Sequence, residues 1–127
     1  VAYLYNKQIS DSGVDYPLPF STPINGQFNV QYRLNDGSLL QQNQFQVGTK
    51  TALQQNRIAQ NEEVTSGYTI ANAQFSSVLN FKGFKPQIRL QVNNVFNTVY
   101  YHHNSFYRAL DIPEFGRNIQ IFITIPF

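Results

Sequence analysis

The chain has 127 residues, nine Lys and Arg against seven Asp and Glu, and a formal net charge of +2. That length bounds it to one domain, and so small a charge, with no basic run or RNA-binding motif, excludes a nucleic-acid footprint. The absence of cysteine excludes a disulfide scaffold and thiolate metal sites, and polarity rests on Asn and Gln, together roughly a fifth of the chain. In chain order, "VAYLYN" (residues 1–6) reads as the end of a strand with Val1, Tyr3 and Tyr5 outward. Residues 7–24, with Gly13, Pro17, Pro19 and Pro23, form a long loop. "GQFNVQYRL" sets Phe28, Val30, Tyr32 and Leu34 against Gln27, Asn29, Gln31 and Arg33, and that period of two predicts a strand. The Asp-Gly of "NDGS" (residues 35–38) predicts a tight hairpin turn.

"FQVGTKTALQ" continues the alternation, with Phe45, Val47, Thr49, Thr51 and Leu53 against Gln46, Gly48, Lys50 and Gln54. Residues 55–67 form a second long loop. "YTIANAQFSSVLNF" sets Ala71, Ala73, Phe75, Ser77, Leu79 and Phe81 against Ile70, Asn72, Gln74, Ser76, Val78 and Asn80. "KGFKP" (residues 82–86) is a short turn, and "QIRLQVNNVF" sets Ile88, Leu90 and Val92 against Gln87, Arg89, Gln91 and Asn93. Residues 98–116 are a third long loop. The last strand, Arg117 to Phe127, carries Ile119, Ile121, Ile123, Ile125 and Phe127 on one side.

The expected fold class is therefore all-β, an antiparallel up-and-down meander of five to six long strands. Connections run long, short, long, short, long, so all long loops fall at one end, the asymmetry of outer-membrane barrels. Each expected strand is long enough to cross a bilayer when tilted, for which about nine to eleven residues suffice. Tyr and Phe recur near strand ends, as in an interfacial aromatic girdle. The rival reading is a soluble β-sheet binding module with one wet face. No run of about eighteen apolar residues exists, so no transmembrane helix is expected, and the start lacks the pattern of a signal peptide. Five or six strands do not close a transmembrane barrel, for which about eight is the practical minimum. A membrane reading thus implies that most of the barrel lies outside this chain.

"NNVFNTVYYHHNSFYRALDIPEFGRNIQIFITIPF" resembles the carboxy-terminal end of a TonB-dependent outer-membrane receptor. The family's Asn-Leu-Phe-Asn-like segment is here Asn94-Val95-Phe96-Asn97; a loop with Tyr and His-x-Ser follows at Tyr100 to Ser105; Pro-Glu-x-Gly-Arg is Pro113, Glu114, Gly116 and Arg117; and the last strand closes on Phe127. "NRIAQNEEVTSGYTIANAQF" is similar to the family segment in which an Arg, a Glu and Thr-x-Gly-Tyr lead into a strand. Residues 56–127 carry the resemblance; residues 1–55 fit by rhythm alone. The resemblance implies that residues 1–127 are the C-terminal portion of a 22-stranded transmembrane barrel whose plug domain and earlier strands are absent from this chain. It implies a receptor of the Gram-negative outer membrane that is not an enzyme. Its implied work is active import of a metal or metal complex, such as a ferric siderophore, haem, zinc or copper, as transported cargo rather than an intrinsic cofactor. The implied partners are the rest of the barrel and plug, the TonB complex, lipid, and the outer-membrane assembly machinery, for which Ile123, Ile125 and Phe127 form the assembly signal. A porin-like or structural barrel without TonB coupling is the closest alternative.

The candidate ligand-binding residues are His102, His103, Glu62, Glu63, Asp111 and Glu114, all in long loops. His102 and His103 are the only histidines and the candidate metal ligands, since imidazole suits zinc, copper and haem iron. Adjacent residues on an extended segment point opposite ways, so the two are not expected to share one ion; one would join a loop carboxylate, or both would serve loop packing or hydrogen bonding with tyrosines. Pro113, Gly116 and Arg117 form a structural loop motif, with Gly116 supplying a turn backbone and Arg117 pairing Glu114 or Asp111. Arg33, Lys50 and Arg89 are expected on the polar side. No nucleophile elbow or phosphate loop is present.

Overall fold

The computed structural model describes residues 2, 5–9 and 15–126. The strand expected at residues 1–6 therefore falls mostly outside the described residues, as does Phe127. Two two-residue strands, β1 (Gln8–Ile9) and β2 (Asp15–Tyr16), pair with each other. The main sheet has five strands in sequential order: β3 (Asn25–Arg33), β4 (Leu40–Ala52), β5 (Tyr68–Leu79), β6 (Gln87–Asn93) and β7 (Asn118–Thr124). The only helical element among the described residues is a 3-10 turn, Phe106–Leu110, and no helix is long and apolar enough to cross a membrane. The fold is an all-β antiparallel meander, and among the described residues the sheet is open, with β3 and β7 as its outer strands and Ala2 bridged to Asn25 at the start of β3.

By internal contacts the chain divides into two units. One gathers the long connections, Val1–Gln27, Lys50–Thr69 and Val99–Phe115; the other holds the sheet body, Phe28–Thr49, Ile70–Thr98 and Gly116–Phe127.

In the sheet body, register turns the alternating sequence into two faces, because directly paired residues share a side of the pleat. Phe75 pairs Leu90 and Leu90 pairs Ile121; Ala73, Val92 and Ile119 form the next row; Ser77, Ile88 and Ile123 form the third. The opposite face has Gln74, Gln91 and Gln120 in one row and Ser76, Arg89 and Phe122 in another. Phe122 is the apolar exception there. The apolar face is uncovered: Phe28 is 67% exposed, Ile119 63% and Ile121 68%. Among the described residues only Ala52, Ala59 and Ile70 are buried apolar side chains. A sheet whose widest apolar face lacks a second layer departs from the two-layer architecture of water-soluble domains. Two buried polar side chains meet here and are satisfied: the Ser77 hydroxyl donates to Asn43 Oδ1 at 2.8 Å, and the Asn43 amide donates to the Asn35 and Leu40 carbonyls.

The two short connections exchange the characters expected of them. Asp36-Gly37 does not make a two-residue turn. Six residues separate β3 from β4, Asp36 Oδ1 accepts the Gln42 N–H at 2.6 Å, and Gln42 takes φ 52°. The Asp side chain thus caps a bulge rather than a tight hairpin. The tight turn lies between β5 and β6, where Phe81 and Phe84 exchange backbone hydrogen bonds at 2.9 Å around Lys82 (φ 48°) and Gly83 (φ 97°). Positive φ at both central residues is the hairpin geometry that follows strand twist.

Asn94-Val95-Phe96-Asn97 ends β6 for a local reason. Asn94 and Asn97 both take positive φ, 52° and 56°, which Asn tolerates better than most residues. Asn94 then clamps Thr98, accepting its N–H and donating to its carbonyl at 2.8 Å each. Asn97 Oδ1 accepts the Arg117 N–H at 2.8 Å and would lie 2.7 Å from a Cβ at residue 116. Gly116 is therefore required by close approach of Asn97, not by a left-handed turn as expected. The expected pairing of Arg117 with Glu114 or Asp111 is also corrected: Arg117 is tied through its backbone and has no ion pair among the described residues.

Candidate functional site

The candidate residues belong to the loop unit, and Glu62 is its centre. One carboxylate oxygen of Glu62 accepts the Phe20 N–H and the other accepts the Ala59 N–H, each at 3.0 Å. Its side chain is only 8% exposed and also approaches His103 Nε2 at 3.2 Å and Arg108 Nη2 at 3.6 Å. One carboxylate thereby holds residues from all three long connections. Arg108 completes the junction by donating from Nη1 to the Glu63 carbonyl at 2.8 Å. Glu63 thus contributes through its backbone rather than as a carboxylate ligand. Burial pushes the Glu62 acid upward, but the Ala59 and Phe20 N–H groups and the charges of His103 and Arg108 outweigh it and hold the carboxyl below its usual range.

The two histidines divide as expected, but not on an extended segment: His103 opens a turn that the Ser105 N–H closes on the His102 carbonyl at 3.0 Å. His103 is fully buried, and its Nδ1 lies 2.7 Å from Thr65 Oγ1. Its Nε2 faces Glu62 off the line of a hydrogen bond, so that contact acts through charge and proximity. Burial keeps His103 below its ordinary pKa, against the opposing pull of Glu62 and with help from Arg108. A neutral ring here accepts from the Thr65 hydroxyl at Nδ1 and carries its proton on Nε2, toward the carboxylate. His102 instead joins an aromatic group: its Nδ1 lies 2.8 Å from the Tyr68 hydroxyl, and its ring stands edge-on to Tyr68 and Tyr100. Burial first, then Lys50, lowers its pKa as well.

The remaining candidates do not join a ligand set. Asp111 takes φ 54° after the 3-10 turn, and its Oδ1 accepts the Tyr101 hydroxyl at 2.9 Å. Glu114 anchors through its backbone, donating to the Tyr100 carbonyl at 2.9 Å, while its carboxylate acts on Tyr100 and His102 through space. Pro113 lies in the irregular stretch between them. Among the described residues no three His, Asp or Glu side chains converge as a metal site, although His103 and Glu62 do meet. Arg57, in the stretch leading to β5, sits 4.5 Å above the Tyr5 ring and donates to the Asn6 carbonyl at 3.3 Å.

Sequence reasoning offered tyrosines as partners of the histidines without naming Tyr68, and it did not single out Thr65 or Arg108. Thr65 and His103 are 38 positions apart and Tyr68 and His102 are 34 apart, so no local pattern links them. A recess of about 320 Å³ opens beside this cluster, lined by Asn25, Lys50, Gln55, Ser66, Tyr68 and His102 among others.

Comparison with known proteins returned no matching family model, no matching curated protein and no matching solved structure.

Proposed function

We propose that this chain is the carboxy-terminal part of the barrel of a TonB-dependent outer-membrane receptor that imports a metal or metal complex. The observation that carries the reading is the uncovered apolar face, continuous through Ile119, Ile121 and Ile123 and their partners on β6. A row of this size in water would be an aggregation site, whereas against lipid it is the ordinary solvent-facing side. The open edge of β7 favours the same reading, because strands in a bilayer must have their backbone groups paired, and a barrel's remaining strands would supply the partner. The loop unit, organised on Glu62, suits an outward face where solute is met; metal selectivity would come from groups beyond the described residues or from the chelator of an imported complex.

The test uses the full-length protein that carries this chain. It should stay with membranes through a carbonate wash, require detergent to become monodisperse, and raise cellular metal content in a way that a protonophore abolishes. Membrane retention with protonophore-insensitive uptake would favour the porin-like alternative. A folded, monomeric protein in plain buffer would sink the membrane reading altogether.

A further inference from the structure

We infer that the recess of the loop unit is a binding site for a monoanionic polyhydroxy acid, with Lys50 as the carboxylate partner and His102 beside it. This inference does not depend on the barrel reading, because every lining residue belongs to the loop unit.

Charge comes first. Lys50 is the only Lys, Arg, Asp or Glu among the lining residues. Its ammonium has no ion pair among the described residues, whereas Lys7 and Arg108 each have one. The ammonium is close enough to His102 to oppose its protonation. Lys50 is thus the one formal charge in the wall and calls for one negative charge, while the Glu114 carboxylate, which acts on Tyr68 and His102 from outside the wall, disfavours a second. A dianion such as phosphate would bring a second charge that nothing in the wall neutralises, at a desolvation cost.

The rest of the wall defines the rest of the ligand. Asn25 spends its amide N–H on the Pro23 carbonyl, and Gln55 spends its own on the Ser21 carbonyl. Each amide keeps its side-chain oxygen as an acceptor and a second N–H as a donor, a pair that suits ligand hydroxyl groups, which both donate and accept. Ser66 adds a hydroxyl that both donates and accepts. His102 commits Nδ1 to Tyr68, which leaves Nε2 for the ligand. The volume of about 320 Å³ lies at the lower end of small-molecule pockets.

The experiment is isothermal titration of the full-length protein with D-gluconate, D-glucose and inorganic phosphate, beside Lys50→Met, Lys50→Arg and His102→Gln variants checked by circular dichroism. Gluconate should bind saturably, with glucose and phosphate at least tenfold weaker. Lys50→Met should lose at least tenfold in gluconate affinity, Lys50→Arg should retain most of it, and His102→Gln should weaken it severalfold. No saturable gluconate binding by the folded protein would overturn the inference, and so would a Lys50→Met variant that binds as well as the parent. Either failure leaves membrane retention unaffected, so it is distinguishable from failure of the receptor reading.

Discussion

Replacing Glu62 by Ala removes two hydrogen bonds from backbone N–H groups to a charged acceptor and leaves Arg108 without its carboxylate. Bonds to charged groups contribute about 1.5–3 kcal/mol each, and breaking a buried charge pair costs about 3–5 kcal/mol. These overlap, so the expected loss is about 3–5 kcal/mol. At about 1.4 kcal/mol per decade that is about two to three and a half orders of magnitude in local opening. Amide hydrogen exchange reads it directly. The Phe20 and Ala59 amides should lose roughly that factor of protection, while Leu90 in β6 keeps its own. Glu62→Gln retains acceptor oxygen but loses the charge, and should fall between. Unchanged exchange at Phe20 and Ala59 in Glu62→Ala would refute the idea that this carboxylate ties the long connections together.

Gly67→Ala should destabilise the loop unit by about 1–3 kcal/mol, seen as a lower melting temperature, because a Cβ there would sit 2.8 Å from the Ala52 carbonyl oxygen and the Gln54 nitrogen, both backbone. Acid should loosen the same unit in two stages. His102 and His103 are held below their ordinary value of 6.5, so the unfolded chain takes up protons first and stability falls as pH drops through 6.5. Glu62 is held below 4.5, so its contribution is present above that pH and is lost as pH falls further toward the folded value. Near-ultraviolet tyrosine dichroism against pH follows both stages, and a flat profile from 7 to 4 would contradict them. Ile121→Lys should impair barrel assembly by about 2–4 kcal/mol if that position lies near mid-bilayer, whereas Gln91→Lys on the other face should be tolerated, as judged by heat-modifiable migration on gels.

The strands were legible because a period of two survives even where residue types vary: Ile88, Leu90 and Val92 face Ile123, Ile121 and Ile119 in the register that alternation implies. The turns were less so. Asp-Gly is a strong local signal, yet Asp36 spends its carboxylate on Gln42 across the connection, a tertiary choice that no dipeptide reveals. Gly116 was recognised as special for the wrong reason, since the constraint comes from Asn97, 19 positions earlier in the chain. At the site, the separation of His102 from His103 was expected from extended geometry, whereas it is a turn at His103 that accompanies it. Their partners depended on which loops meet, which the sequence does not encode locally. Lys50 read as one more polar-face charge until the absence of an ion pair to it among the described residues set it apart.

The central claim is that the isoleucine face of β7 meets lipid. Spin labels placed singly at residues 119–123 of the full-length protein, itself free of native cysteine over these 127 residues, test it through collision rates with oxygen and with a water-soluble nickel complex. In bilayers, labels at Ile119, Ile121 and Ile123 should collide readily with oxygen and rarely with nickel, and Gln120 should break the pattern. Equal nickel access at Ile121 and Gln120 would contradict the account.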